Sequence, residues 1–217
     1  MGVLSGLLDL LYPPRCVFCR KLLKKGERSI CEKCGDELPY TVNGGGQRGD
    51  FFSVCVAPLY YEGMVRESIL RYKFNEADYY AQAYGALVAE CIRDNLHGRY
   101  DLISWVPISR KRHKERGYDQ AMLLAVSAAR ELDDAAVSTL EKYRDVAKQS
   151  GMGSAEKRRA NISGAYRAVD PGLIEGRRVL LIDYIVTTGS TLSECARILL
   201  QSGAREVVCA AIARSRD

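Results

Sequence analysis

The stretch that most restricts the fold is Arg178-Val179-Leu180-Leu181-Ile182-Asp183, followed at once by Tyr184-Ile185-Val186-Thr187-Thr188-Gly189-Ser190-Thr191. Its first part is apolar at consecutive positions, so both sides must be buried. Such a strand belongs inside a parallel sheet covered on two faces. An acid ends it, and hydroxyl residues around one glycine lead into a helical pattern from about Leu192 to Gln201, with Gly203 suited to its C-terminal cap. A helix opening in this way offers free backbone N–H groups and the positive end of its dipole to a phosphate. Gly189 lets the main chain approach closely, while Thr187, Thr188, Ser190 and Thr191 add hydroxyl donors. Asp183, at the strand's carboxyl end, can accept hydrogen bonds from sugar hydroxyls. The same residues would serve as a plain helix cap, but a cap needs one hydroxyl residue, not four. Neither GxxxxGK[ST] nor GxGxxG is present between strand and helix.

Around this unit the chain alternates between strand-like and helix-like runs from Phe51 onward. Ser53–Tyr61 reads as a strand or hairpin arm, Asp78–Asn95 as a helix, Asp101–Pro107 as a short buried strand and Tyr118–Leu132 as a second helix. Val137–Leu140 is a further candidate strand, and Glu206–Ala213 closes the pattern with another. Arg144–Gly164 is polar and lacks periodicity, the mark of a functional loop. The expected fold class is α/β, a mostly parallel sheet flanked by helices.

Eight cysteines are present, and four form two pairs, Cys16-x-x-Cys19 and Cys31-x-x-Cys34, with eleven residues between. Two such knuckles bring four thiolates to one tetrahedral Zn²⁺; a redox CxxC is the competing use. Segment 15–40 has too few apolar residues for a core of its own, so zinc would supply its folding free energy. Cys55, Cys91, Cys195 and Cys209 sit in apolar contexts and read as buried thiols. The glycine-rich stretch 44–50 reads as a flexible linker. The division is therefore residues 1–43 as helix and zinc module, 44–50 as linker and 51–217 as the main domain.

The 217 residues carry a formal net charge of +5 and 47% apolar residues, a balance that excludes extended disorder and suits an anionic ligand without demanding one. The leading MGVLSGLLDLLYPP has no Lys or Arg before its apolar stretch and is far shorter than the ~20 residues of a membrane span. Leu4, Leu7, Leu8 and Leu11 instead suggest a short docking helix. A cytoplasmic location is expected.

At the strand, acid and TTGST turn the chain resembles type I phosphoribosyltransferases. More narrowly it resembles the ComF family of bacterial competence-associated proteins, which set a zinc module before that fold. The match extends through Leu-Tyr-Pro-Pro-Arg-Cys, Tyr72-Lys73-Phe74, Val106-Pro107-Ile108, Arg116-Gly117-Tyr118-Asp119-Gln120-Ala121, and Gln149 through Arg159 with Asn161. The resemblance implies binding of 5-phosphoribosyl 1-pyrophosphate with Mg²⁺ by Asp183, Tyr184, Thr187, Thr188, Gly189, Ser190 and Thr191. It implies catalytic parts for Asp183, Lys73 and Arg112, and structural Zn²⁺ on Cys16, Cys19, Cys31 and Cys34. The family motif carries two consecutive acids, and Tyr184 stands at the second.

Arg110, Lys111, Arg112, Lys114 and Arg116 crowd the segment where the family's pyrophosphate loop lies, while His113 reads as exposed. In the family the polar segment with Gln149, Lys157, Arg158 and Arg159 closes over the leaving pyrophosphate. Two function classes follow. One is a ComF-like protein that binds phosphoribosyl pyrophosphate and acts in DNA uptake with competence-machinery proteins, its basic loop holding single-stranded DNA. The other is an active phosphoribosyltransferase of nucleotide metabolism with an unidentified acceptor.

Overall fold

A computed structural model describes residues 13–73, 77–144 and 164–216. The helix expected at Leu4–Leu11 and the loop residues Gln149, Lys157, Arg158, Arg159 and Asn161 lie outside them, as does Phe74. In chain order the elements are α1 (Glu32–Glu37), β1 (Cys55–Val56), β2 (Leu59–Tyr60), α2 (Gly63–Tyr72), α3 (Ala77–Leu96) and β3 (Leu102–Trp105). Then come α4 (Arg110–Arg116), α5 (Gln120–Glu131), β4 (Leu140–Lys142), β5 (Tyr166–Ala168) and α6 (Pro171–Ile174). The last are β6 (Arg178–Ile182), β7 (Ile185–Val186), α7 (Ser190–Gln201), β8 (Glu206–Ala210) and β9 (Ala213–Arg214).

Four parallel strands form the central sheet in the order β1-β8-β6-β3. Its side chains alternate between two cores, as a sheet covered on both faces requires. From β6, Leu180 and Ile182 join the core that contains α2, α3 and α5, whereas Val179 and Leu181 join the one containing α7. The consecutive apolar residues of Arg178–Asp183 therefore report double-sided burial. Beyond the sheet, β2, β9 and β7 pair in parallel in the same neighbour order. Three strands thus break at one level, around Pro58, Asp183 and Ile212, and re-pair past it. Asp183 bridges the break, donating its N–H to Ala210 O at 3.0 Å.

Ser53–Tyr61 is accordingly no hairpin arm: it supplies β1 and β2, which lie in different sheets. The strand expected at Val137–Leu140 starts only at Leu140 and pairs antiparallel with β5. The basic run after β3, expected to be a loop, is a helix. Ser109 Oγ accepts the Arg112 N–H at 3.4 Å, and Gly117 ends it with φ 79° in the left-handed region. The helices expected at Asp78–Asn95, Tyr118–Leu132 and Leu192–Gln201 fall close to those positions as α3, α5 and α7, whereas α1, α2 and α6 were not expected. No described helix is long and apolar enough to cross a membrane.

The cysteine knuckles dock on α2 and α3. Val17 and Phe18 are fully buried, Phe18 against Tyr84 with ring centroids 6.1 Å apart. Ser68 Oγ donates to Val17 O at 2.6 Å, and Arg71 Nη2 donates to Phe18 O at 2.6 Å. Buried Tyr72, Tyr80 and Tyr84 pack on one another behind this contact, Tyr72 and Tyr84 edge to face at 5.3 Å. The 44–50 stretch joins the two parts but is not a free tether. Gln47 exchanges backbone hydrogen bonds with Cys55 at 3.0 and 2.7 Å, and Arg214 Nη1 donates to Gly45 O at 2.6 Å.

Candidate functional site: the phosphate turn and the cysteine cluster

The turn Thr187–Thr191 leaves the far end of β7 and opens α7. Gly189 is the N-cap, with φ 69°, a conformation that favours glycine. Glycine has no side chain to cap the helix, and the Ser190 N–H instead approaches Thr188 Oγ1 at 3.4 Å. Thr188 and Ser190 share a hydroxyl hydrogen bond of 2.8 Å. Thr187 and Thr188 are exposed, and a pocket of about 90 Å³ is lined by Asp183 and residues 185–192. The turn lies on the carboxyl side of the strands, with Thr187 and Thr188 exposed beside the pocket. That is the arrangement an anion needs at a helix N-terminus.

Asp183 sits at the floor of this pocket, nearly buried. Burial pushes its carboxyl up to about 7; the Tyr184 N–H at 2.7 Å and Lys142 oppose the rise, and Asp119 adds to it. Tyr184 packs against the core that contains α2, α3 and α5 and does not line the pocket. Burial and then Asp183 raise its phenol, while Arg116, within hydrogen-bonding reach, and Arg112 hold it down. Arg112 and Arg116 form the partly buried, inward side of α4, one turn apart, while Arg110, Lys111, His113 and Lys114 are exposed. Lys73 ends α2, where Gln120 Nε2 donates to its carbonyl at 3.3 Å, and it is not among the residues lining the pocket. The structure thus brings Asp183 together with Thr187–Thr191, sets Tyr184 and Arg112 close by and leaves Lys73 on a neighbouring element.

Three residues of this region had no role assigned from sequence. Asp119 accepts N–H groups from Ile108 (2.9 Å), Ala121 (3.0 Å) and Met122 (3.2 Å), which caps α5 and fixes the chain leaving β3. Burial raises its pKa against these bonds. An acid directly before an apolar helical run was the available signal. Lys142 Nζ donates to the Tyr166 hydroxyl at 3.1 Å, and Tyr166 is 3% exposed. Burial raises that phenol, with contributions from Cys195 and Asp183 and opposition from Arg112. Both come from the short β4–β5 pair, whose polar sequence carries no pattern.

The four N-terminal cysteines hold their sulfurs within 4.8 Å of one another, with Cys19 and Cys31 Sγ at 3.7 Å. Tetrahedral Zn–S bonds of about 2.3 Å place sulfurs about 3.8 Å apart, so the set fits zinc. Burial disfavours the Cys16 thiolate, but N–H bonds from Cys19, Cys31 and Phe18 prevail and hold its pKa at about 7. The Cys31 N–H to Cys16 Sγ distance is 3.4 Å. Cys55, Cys91, Cys195 and Cys209 are buried free thiols.

Fold and site together define a phosphoribosyltransferase-type domain that carries a zinc ribbon. The phosphoribosyl transferase domain family matches residues 119–217, and the double zinc ribbon domain family matches residues 7–45. Competence protein F of Haemophilus influenzae is 30% identical over 226 residues, covering 93% of this chain and 97% of that protein. The DNA utilization protein YhgH of Escherichia coli is 29% identical over 206 residues, 88% of this chain and 86% of that one. Competence protein ComFC of Bacillus subtilis is 27% identical over 208 residues, 90% and 82% respectively. The chain belongs to the competence protein F family.

Proposed function

We propose that this cytoplasmic protein binds 5-phosphoribosyl 1-pyrophosphate at the Thr187–Thr191 turn and serves DNA uptake in natural transformation. The observation that carries the reading is the glycine-centred turn that opens α7 around a pocket also lined by Asp183. The backbone of Thr187–Thr191 would seat the 5-phosphate, and Asp183 would accept a ribose hydroxyl. Arg112 from α4 and Lys73 from α2 are the cations proposed to face the pyrophosphate, whose charge needs several. Mg²⁺ accepts one or two carboxylates together with ligand phosphate oxygens. Asp183 with the pyrophosphate makes such a set, and the ion would neutralise the leaving group. Transfer of the ribosyl group depends mainly on positioning and charge stabilisation, which these residues supply without an acid–base pair. The relatives' names, competence protein F and DNA utilization protein, support the cellular role.

Thermal shift with phosphoribosyl pyrophosphate and Mg²⁺ tests the binding. A rise in Tm that ribose alone does not produce is the expected result; no rise contradicts it. Pyrophosphate release on adding free bases would add the transferase reading, with the acceptor named by the base that works.

A second surface supports contact with single-stranded DNA. Arg110, Lys111, Lys142 and Arg167 surround a cleft of about 180 Å³ beside Tyr143, a residue that is 52% exposed. Cations and an aromatic face together are what an unpaired strand needs. Glu141, paired with Arg167 and 3.9 Å from Arg110, holds two of the cations in place. Salt-dependent binding of an oligonucleotide that Tyr143→Ala and Arg110→Ala weaken is expected; equal binding by both variants rejects the surface.

A further inference from the structure

Gln47 lies in the stretch that joins the zinc ribbon to the sheet. Its two backbone hydrogen bonds to Cys55 set its register, and that register brings its side chain to the phosphate turn. A Cβ built on Gly189 would lie 3.7 Å from Gln47 Nε2 and 3.4 Å from Phe52 Cζ. Phe52 is 4% exposed and reaches this position because Gly49 leaves room: a Cβ there would stand 2.3 Å from its ring. Neither Gln47 nor Phe52 lines the phosphate pocket; both approach the turn at Gly189. Gln47 Oε1 is buried without any hydrogen-bond donor, and it is the only such side-chain oxygen or nitrogen among the described residues. An orphaned buried amide oxygen keeps its full desolvation penalty, and an unsatisfied group of this kind calls for a reason to persist. A carboxamide can accept at the oxygen while donating at the nitrogen. The turn beside it holds a donor that could satisfy the oxygen: the Thr188 and Ser190 hydroxyls share one hydrogen bond, which leaves one of their two hydrogens to give.

We infer that Gln47 is a positioning residue for the phosphate turn, its Oε1 taking a hydrogen bond from the turn when the turn closes on a 5-phosphate. The inference rests on the reading that this turn binds phosphoribosyl pyrophosphate. It extends the phosphate site into the segment that carries the zinc ribbon, so that ligand and ribbon act on one piece of chain.

The test compares wild type, Gln47→Leu and Gln47→Asn in the full-length, zinc-loaded protein. Calorimetry with phosphoribosyl pyrophosphate and Mg²⁺ gives Kd, and melting of the ligand-free protein gives Tm. Leucine of similar size removes the orphan oxygen, so the ligand-free Tm should hold or rise by a few degrees while Kd weakens about tenfold. Asparagine, with the same groups one carbon shorter, should fall between. A merely structural glutamine gives the opposite pattern, a lower Tm with Kd unchanged, and that result overturns the inference. Wild-type binding with equal Kd in Gln47→Leu overturns it alone. No binding by wild type overturns the ligand reading and this inference together.

Discussion

Asp183 and Tyr184 decide how far the proposed ligand site departs from the pattern of the family it resembles, because they occupy the two positions where that pattern has acids. The folded Asp183 carboxyl titrates near 7 against 3.8 for a free one. Folding therefore takes up a proton between those values. The stability this adds is complete below about pH 4 and is lost as pH rises through about 7, roughly 4 kcal/mol at most. Asp183→Asn removes the buried charge, so its Tm should exceed wild type at pH 8 and converge with it near pH 4. Melting curves across that range check this, and a constant difference between the two proteins would refute it. Tyr184→Asp should act in two directions. Losing a half-buried ring lowers Tm, since burying such a side chain contributes about 1.5–3 kcal/mol. The added carboxylate gains a charge-assisted hydrogen bond to the ribose, worth about tenfold or more in affinity for phosphoribosyl pyrophosphate. Calorimetry beside melting measures both, and an unchanged Kd rejects the second half.

Among the elements, the cysteine knuckles do more than hold a metal. Val17 and Phe18, carried between Cys16 and Cys19, complete the core over Tyr84 and Ser68. Without zinc the knuckle has no core of its own to keep it shaped, so these two side chains would leave the shared one. Cys16→Ser, or chelation of the metal, should lower the Tm of the whole chain by about 10 °C in a single transition, given roughly 2–4 °C per kcal/mol at this size. Two separate transitions, with the main one unmoved, would show that the ribbon folds apart from the domain. Helix α4 makes a different point. Its sequence, RKRHKER, is polar at every position, so no periodicity marks it as a helix. The signals were at its ends, where Ser109 caps it and Gly117 takes the left-handed turn. Helix α7 was legible because apolar residues recur along one side and a glycine-centred turn precedes it.

At the scale of the whole molecule, legibility followed locality. The strand β6, the turn after it and the helix α7 lie in one continuous stretch, and each could be read from the residues alone. The central sheet could be expected from consecutive apolar residues, since such strands need cover on two sides. What could not be read depends on partners distant in the chain. The common break near Pro58, Asp183 and Ile212 arises from pairing between β1–β2, β6–β7 and β8–β9. The approach of Gln47 and Phe52 to Gly189 joins segments about 140 residues apart, and only the assembled sheet brings Lys142 and Tyr166 towards Asp183. The candidate site was thus half legible: its phosphate turn from sequence, its walls from the fold. That turn carries the functional account, and a crystal structure of the protein soaked with ribose 5-phosphate tests it most directly. The account predicts the phosphate at the start of α7, its oxygens about 2.7–3.2 Å from the backbone nitrogens between Thr188 and Thr191. A phosphate bound elsewhere, with the turn empty, would contradict it.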